Sequence, residues 1–297
     1  MTGFVFLDKP EGMTSFFAAS RLRRIFSMKK IGHTGTLDPM ATGVLPVALG
    51  GATRFIELIE SHDKAYRATF LLGKTTDTLD ITGKVLSENE VTVKKEDVEK
   101  VLSFFKGEIK QLPPMYSAIK KDGVRLYDLA RQGIEIEREE RKVTIYSLEL
   151  VETDEEKNEY TIDVSCSSGT YIRSLISDIG EKLSSGAVMT ALKRTSANGI
   201  DIGECRSLEE LEALKEEGAL EKAVVPVWEF IKYPRITVSD SQAKRFKNGG
   251  ELFLERVKGL SENTFYNVFS PEGKFLGIGE KDEEAGLLKV KRVYVES

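Results

Sequence analysis

Along this 297-residue chain the apolar residues switch between a period of two and a period near 3.6, and never settle into a regular strand–helix repeat. Phe4–Leu7 reads as a short buried strand, closed by the breaker-rich turn Asp8-Lys9-Pro10-Glu11-Gly12. A helix follows, with Thr14 or Ser15 as N-cap and Ala18, Leu22, Ile25 and Phe26 on one face. Tyr66, Ala68, Phe70 and Leu72 alternate as in a half-buried strand. Val98, Val101, Leu102 and Phe105 then mark a helix. Strands are predicted at Val143–Leu150 and Tyr160–Cys166, and a further helix carries Leu175, Ile176, Ile179 and Leu183. This irregular mixture favours an α+β fold over a doubly wound parallel sheet.

Ser207-Leu208-Glu209-Glu210 is a capping-box signature for a short acidic helix. Beyond Pro226 and Trp228 the pattern turns to short β-rich runs, Phe265–Phe269, Phe275–Ile278 and Leu287–Val295, separated by turns such as Ser270-Pro271-Glu272-Gly273. A boundary near Lys232 therefore separates residues 1–231 from a small β-rich domain, 232–297.

The formal net charge of -5 does not advertise a polyanionic partner, yet the charge is segregated. From Ser20 to Lys30 stand Arg21, Arg23, Arg24, Lys29 and Lys30 with no acid among them, while acid concentrates in 152–159 and 204–221. A basic face on an acidic protein stays open. Cys166 and Cys205 form no CxxC, and His33 and His62 are the two histidines, too few for a cysteine-rich zinc site or a histidine-based metal site. The N-terminal apolar run is too short for a signal peptide, and no segment approaches a membrane span, so a cytoplasmic protein is expected.

Gly73-Lys74-Thr75 imitates the end of a phosphate-binding loop, but Ala68 stands where that motif needs a glycine, and the intervening residues read as strand. Gly32–Gly43 is more unusual, with three glycines, three threonines and a proline in twelve residues. Such a loop lets backbone approach a ligand closely. Within it Asp38 is held toward extended geometry by Pro39. A carboxylate there can serve as a nucleophile, and Asp-Pro also opens turns and caps helices; the loop alone does not decide. Ser165–Arg173 lies between a predicted strand and a predicted helix. Arg173 at the start of that helix opposes the dipole, which suits a partner to a distant carboxylate, although a single arginine is more often a surface residue. Tyr66, opening its strand in Asp63-Lys64-Ala65-Tyr66-Arg67, fits either core packing or stacking on a flipped base. His33 by itself reads as a satisfied loop histidine.

In combination these segments resemble the TruB family of tRNA pseudouridine synthases. The resemblance rests on Leu7-Asp8-Lys9-Pro10-Glu11-Gly12-Met13-Thr14-Ser15, on Gly32–Gly43, on Asp63–Arg67, on Pro113-Pro114-Met115-Tyr116-Ser117-Ala118 and on Gly169-Thr170-Tyr171-Ile172-Arg173-Ser174. It implies a mixed-sheet α+β catalytic domain over 1–231 and a PUA-like RNA-binding domain over 232–297. It implies that Asp38 is the catalytic aspartate, Tyr66 the tyrosine that stacks on the target base, and Arg173 the partner of the catalytic carboxylate. His33, Tyr171 and Leu192 fall on positions that contact the flipped nucleotide. Residues 121–146 correspond to an insertion that grips the tRNA T-arm stem-loop, where Lys120, Lys121, Arg125, Arg131, Arg138, Arg141 and Lys142 suit phosphate contacts. The implied reaction isomerises uridine 55, with no cofactor and no metal, by a monomer needing no protein partner.

Three rivals share parts of this pattern. A guide-RNA-dependent synthase carries the same catalytic motifs, and an RNA-binding protein without activity would use the same basic helix and β-rich tail. A hydrolase with a carboxylate nucleophile would need a second acid, for which Asp77 and Asp80 are available.

Overall fold

The computed structural model describes residues 1–117, 119–121 and 123–295, leaving aside the side chain of Arg125. Ala118, in one of the quoted motifs, and the Arg125 side chain, among the proposed phosphate contacts, lie outside the described residues. The chain divides into two compact units: residues 1–39, 44–61 and 203–297 form the first, and 40–43 and 62–202 the second.

The first unit opens with β1 (Gly3–Lys9), α1 (Ser15–Ile25), β2 (Ile31–His33) and β3 (Thr42–Leu49). β1 and β2 flank β3, which contributes Val44–Leu49 to this unit. Thr14 is the N-cap of α1, its hydroxyl accepting from the Phe17 amide. Ala18, Leu22 and Ile25 pack on Val5, Leu7, Leu45, Val47 and Leu49, so the expected apolar stripe is the core face. Leu208 and Leu211 complete this core from the helix Leu208–Glu216, whose Ser207–Glu210 capping box forms as the spacing predicts. β1 is also bridged by Val225 and Arg206. The β-rich tail is a five-stranded sheet in the order Arg235–Thr237, Phe265–Phe269, Phe275–Asp282, Leu287–Val293, Leu252–Phe253. The helix Asp240–Lys247 packs on it over a core of Ile236, Phe246, Tyr266, Val268 and Leu276. Phe55, Trp228, Phe275 and Tyr294 join this sheet to the N-terminal part of the unit, their ring centroids 5.2 to 6.4 Å apart.

The second unit is built on a mixed sheet in the order Thr42–Gly43 of β3, Ala187–Ala197, β4 (Lys64–Leu72), Glu159–Cys166, Arg141–Asp154 and Gly107–Gln111, beside smaller two-stranded pairs. The β3 pair is parallel and the others antiparallel. Tyr66, Ala68, Phe70 and Leu72 are buried as their alternation requires, while Arg67 faces outward to Asp163 on the neighbouring strand, 2.7 Å away. The helix Ile172–Lys182 buries Ile172, Leu175, Ile176 and Ile179 and packs on Ala187–Ala197. The fold is α+β.

Several strands were not anticipated, Ala187–Ala197 and β3 among them. Ala187–Ala197 has register shifts between Met189 and Ala191 and between Arg194 and Ser196, and each shift breaks the alternation that announces a strand. β3 contains Pro46, which demotes a run as a strand; its carbonyl is used instead, accepting from Thr34 N at 3.1 Å.

Candidate active site

Asp38 is half-buried in the loop between β2 and β3. The residues on either side of it are pinned to the turn between β1 and α1. Leu37 N donates to the Ser15 hydroxyl (2.8 Å), which returns a bond to Leu37 O (3.2 Å). Pro39 O accepts from Gly12 N (2.9 Å) and from Lys9 Nζ (3.4 Å). The Lys9 side chain is fully buried, and its ammonium also donates to Pro10 O (2.8 Å) and Met13 O (2.6 Å). A buried ammonium without such acceptors costs several kcal/mol. The Lys9–Ser15 segment is thus a clamp that presents one carboxylate. Pro39 and Met40 form a turn and the chain enters β3 at Thr42, so Asp38 caps no helix. His33 ends β2 opposite Val47, half-buried.

Gly43 closes the same motif with φ +99°, and a Cβ built on it meets Arg194 O at 2.2 Å and Arg194 N at 2.9 Å. The parallel pair Gly43–Arg194 is too close for any side chain.

In the second unit, Tyr66 pairs with Arg194 on one side and Val164 on the other, and Leu192 pairs with Ala68. Cross-strand partners share a face, so Tyr66 and Leu192 stand together on the buried side of the sheet. Lys64, two residues before Tyr66, titrates below the usual lysine range because burial and then the Arg194 charge disfavour its ammonium. Its cross-strand partner Cys166 is pushed up to about 11 by burial.

Arg173 is 5% exposed, so the surface alternative is excluded. Its guanidinium does not meet the positive end of its own helix unaided. It donates to Thr78 O (3.0 Å) and Tyr116 O (2.9 Å), and lies 3.8 Å from the Asp80 carboxylate. Asp80 is itself buried and accepts at Oδ1 from the hydroxyls of Thr78 (2.9 Å) and Thr82 (2.5 Å) and from Thr82 N (3.0 Å). Tyr171 is the N-cap of the Arg173 helix, and the Gln111 amide grips its backbone on both sides, at 2.7 Å to N and 3.0 Å to O.

In the second unit Tyr66 and Leu192 share one sheet face, and Tyr171 and Arg173 stand at the start of the helix that packs on Ala187–Ala197, while Asp38 and His33 belong to the first unit. Sequence reasoning missed Gln111, Ser15 and the structural use of Asp80. The threonine–aspartate alternation Thr76-Asp77-Thr78-Leu79-Asp80-Ile81-Thr82 was the available signal for Asp80, since closely spaced hydroxyls around a carboxylate suit a buried acceptor. Asp80 is engaged by Arg173 and two threonines, which removes it as a ready leaving-group acid. The discarded phosphate-loop imitation is ordinary structure: Lys74–Thr76 is a short strand paired with Val85–Glu88.

In the 121–146 segment, Lys121 Nζ donates to Glu137 O, Arg138 to Pro113 O, and Lys142 lies 2.8 Å from Glu108. These are mainly exposed contacts, which solvent and salt screen. Among the described residues no group of three or more His, Cys, Asp or Glu side chains is arranged to hold a metal ion, and no helix is long and apolar enough to cross a membrane.

Comparison with known proteins gives one consistent result. Residues 23–172 match the N-terminal domain of TruB family pseudouridylate synthases, residues 173–231 a tRNA pseudouridylate synthase B C-terminal domain, and residues 234–294 the C-terminal domain of pseudouridine synthase II TruB. The chain is 44% identical to the tRNA pseudouridine synthase B of Clostridium perfringens (strain 13) over 100% of both chains. It is 45% identical to that of Azoarcus sp. (strain BH72), covering 98% of this chain and 94% of the other. Among solved structures, a chain in a Cbf5-Nop10-Gar1 complex superposes with a TM-score of 0.72 at 26% identity, covering 98% of this chain and 84% of that one.

Proposed function

This chain belongs to the TruB family of pseudouridylate synthases, and on that premise we propose that it converts uridine 55, in the T-arm loop of tRNA, to pseudouridine. The observation that carries this reading is the full-length likeness to relatives named tRNA pseudouridine synthase B. Pseudouridine forms when the bond from ribose C1′ to uracil N1 breaks, the ring turns, and C5 bonds to C1′; C5 loses its proton and N1 gains one. Atoms and electrons balance without a cofactor.

In the proposed reaction the target base leaves the stack, at a cost of a few kcal/mol. Tyr66 stacks on it, and Leu192, Tyr171 and His33 line its surroundings. Asp38 acts as nucleophile, at C1′ or at the base, and Arg173 serves as its counter-ion, favouring the ionised carboxylate. The rigid seat of Arg173 supports this role, since a guanidinium fixed by two carbonyls and Asp80 is pre-oriented. Residues 121–146 grip the T-arm stem, and the tail from Lys232 contacts RNA as a PUA-like domain. The enzyme works as a cytoplasmic monomer.

The neighbouring Cbf5 complex favours a second reading, a synthase that needs guide RNA and protein partners. Incubating the purified protein with an unmodified tRNA transcript, then mapping pseudouridine by mass analysis, separates the two. One pseudouridine at position 55 is expected. Product only on addition of guide RNA overturns the stand-alone reading, and product at another position moves the substrate site.

A further inference from the structure

Residues 12–56 contain Arg21, Arg23, Arg24, Lys29, Lys30 and Arg54, and a single acid, Asp38. The outer face of α1 lies within this stretch. It carries two adjacent, strongly exposed aromatic residues, Phe16 at 69% and Phe17 at 53%. The helix buries Ala18, Ala19, Leu22 and Ile25, so neither phenylalanine contributes to the core. Their position is not incidental to the site. Ser15, the residue before Phe16, is the one whose hydroxyl binds both the N–H and the carbonyl of Leu37, beside Asp38.

Two turns along the same face, the Arg23 guanidinium lies over the Phe16 ring, 5.5 Å from its centroid. Arg23 Nε is buried without a hydrogen-bond partner, and no ion pair among the described residues engages Arg23. Arg21, by contrast, is paired with Glu212. The first turn of α1 has no acidic residue. An exposed aromatic plane, an uncommitted guanidinium against it and the positive end of a helix together match a nucleotide: a base for the ring and a phosphate for the cation.

We propose that the Phe16–Arg23 face of α1 is a single-stranded RNA contact, holding a nucleotide that flanks the one reaching Asp38. Phe16 stacks on an unpaired base, Phe17 widens the platform, and Arg23 meets the adjoining phosphate. The proposal rests on the tRNA reading above and adds to it a specific surface that keeps the strand in register with the Asp38 loop.

The test compares Phe16→Ala, Phe17→Ala, Arg23→Gln and the conservative Phe16→Tyr with the full-length parent. Binding of an unmodified tRNA transcript is measured by filter binding across a salt series, with thermal unfolding and oligomeric state as controls. Phe16→Ala is expected to weaken binding about tenfold, and Phe16→Tyr to restore it to within about twofold. Arg23→Gln is expected to lower the slope of log affinity against log salt by about one. Thermal midpoints stay within a few degrees. Affinities within twofold of the parent for Phe16→Ala and Arg23→Gln overturn the proposal. So does unchanged RNA affinity with a shifted oligomeric state, which makes the face a contact between copies. Binding needs no turnover, so a parent protein that makes no pseudouridine in tRNA defeats the proposed function and leaves this series to decide the surface separately.

Discussion

Around Asp38 the groups held are the backbone of Leu37 and Pro39, and their partners are neutral groups and one ammonium 22 to 30 residues away: Gly12 N and Lys9 Nζ hold Pro39, and the Ser15 hydroxyl holds Leu37. Around Arg173 they include a second buried charge, and they come from 57 and 95 residues away. The first arrangement is a set of separable hydrogen bonds, each worth about 0.5–1.5 kcal/mol net, more where Lys9 is the donor. The second is a network in which removing one charge leaves the other buried and unpaired, at about 3–5 kcal/mol. Damage to the loop should therefore be graded and local, whereas damage to the arginine seat should spread into stability.

The sharpest way to separate geometry from chemistry at the loop is Asp38→Asn, which keeps size and hydrogen-bonding capacity. Pseudouridine formation is expected to fall below about one thousandth of the parent rate, with tRNA affinity within about threefold; nucleoside mass analysis and filter binding read both, and retained turnover removes Asp38 from its role. Arg173→Ala strikes the networked side. It should lower single-turnover rate more than tRNA affinity, and also lower unfolding free energy by about 3–5 kcal/mol in urea titration. A loss confined to activity, with unaltered stability, would erase the contrast between the two regions. Ser15→Ala removes both bonds to Leu37 and tests the graded side. A stability loss of about 1–3 kcal/mol is expected, with turnover reduced but measurable.

The smallest effect concerns Asp178, on the same helix as Arg173, whose carboxyl is raised to about 6 by burial and then by Glu181. A folded-state pKa above the unfolded value means that the native state binds the proton more tightly. The stability this contributes is fully present below about pH 4 and is lost as pH rises through about 6. Asp178→Asn should thus be more stable than the parent by about 1–2 kcal/mol at pH 7, the advantage vanishing near pH 4. A pH-independent difference between the two urea midpoints would refute it.

The contrast also explains what sequence reasoning could reach. The α1 stripe, the alternation through Tyr66–Leu72 and the Ser207 cap were legible because each is dictated by its own residues. So was the unusual character of Gly32–Gly43, although the Gly-rich loop alone did not decide between a nucleophile, a turn opener and a cap; the chain's course through a turn into β3 excludes only the cap. Gly43 was visible as a glycine, but its reason, the Arg194 backbone at 2.2 Å from a built Cβ, depends on a strand whose own alternation is broken by two register shifts. Gln111 was invisible as part of the site, and Asp80 was visible only as a spare acid, because their meaning lies in partners scores of residues away.

One feature of the first unit bears on how the chain is made. β1 is bridged by Arg206 and Val225, and its core is completed by Leu208 and Leu211. Ribosomal synthesis delivers Phe4–Leu7 first and these partners roughly 200 residues later, an interval on the order of 10–40 s at usual elongation rates. Throughout it the N-terminal strand is an apolar edge awaiting cover, the kind of surface that chaperones bind and aggregates recruit. Residues 62–202 emerge within that interval as an almost continuous stretch and have no such wait. The Asp38 clamp is thus anchored on a strand whose surroundings are finished last, so a truncated chain carries Asp38 without the fold that steadies it.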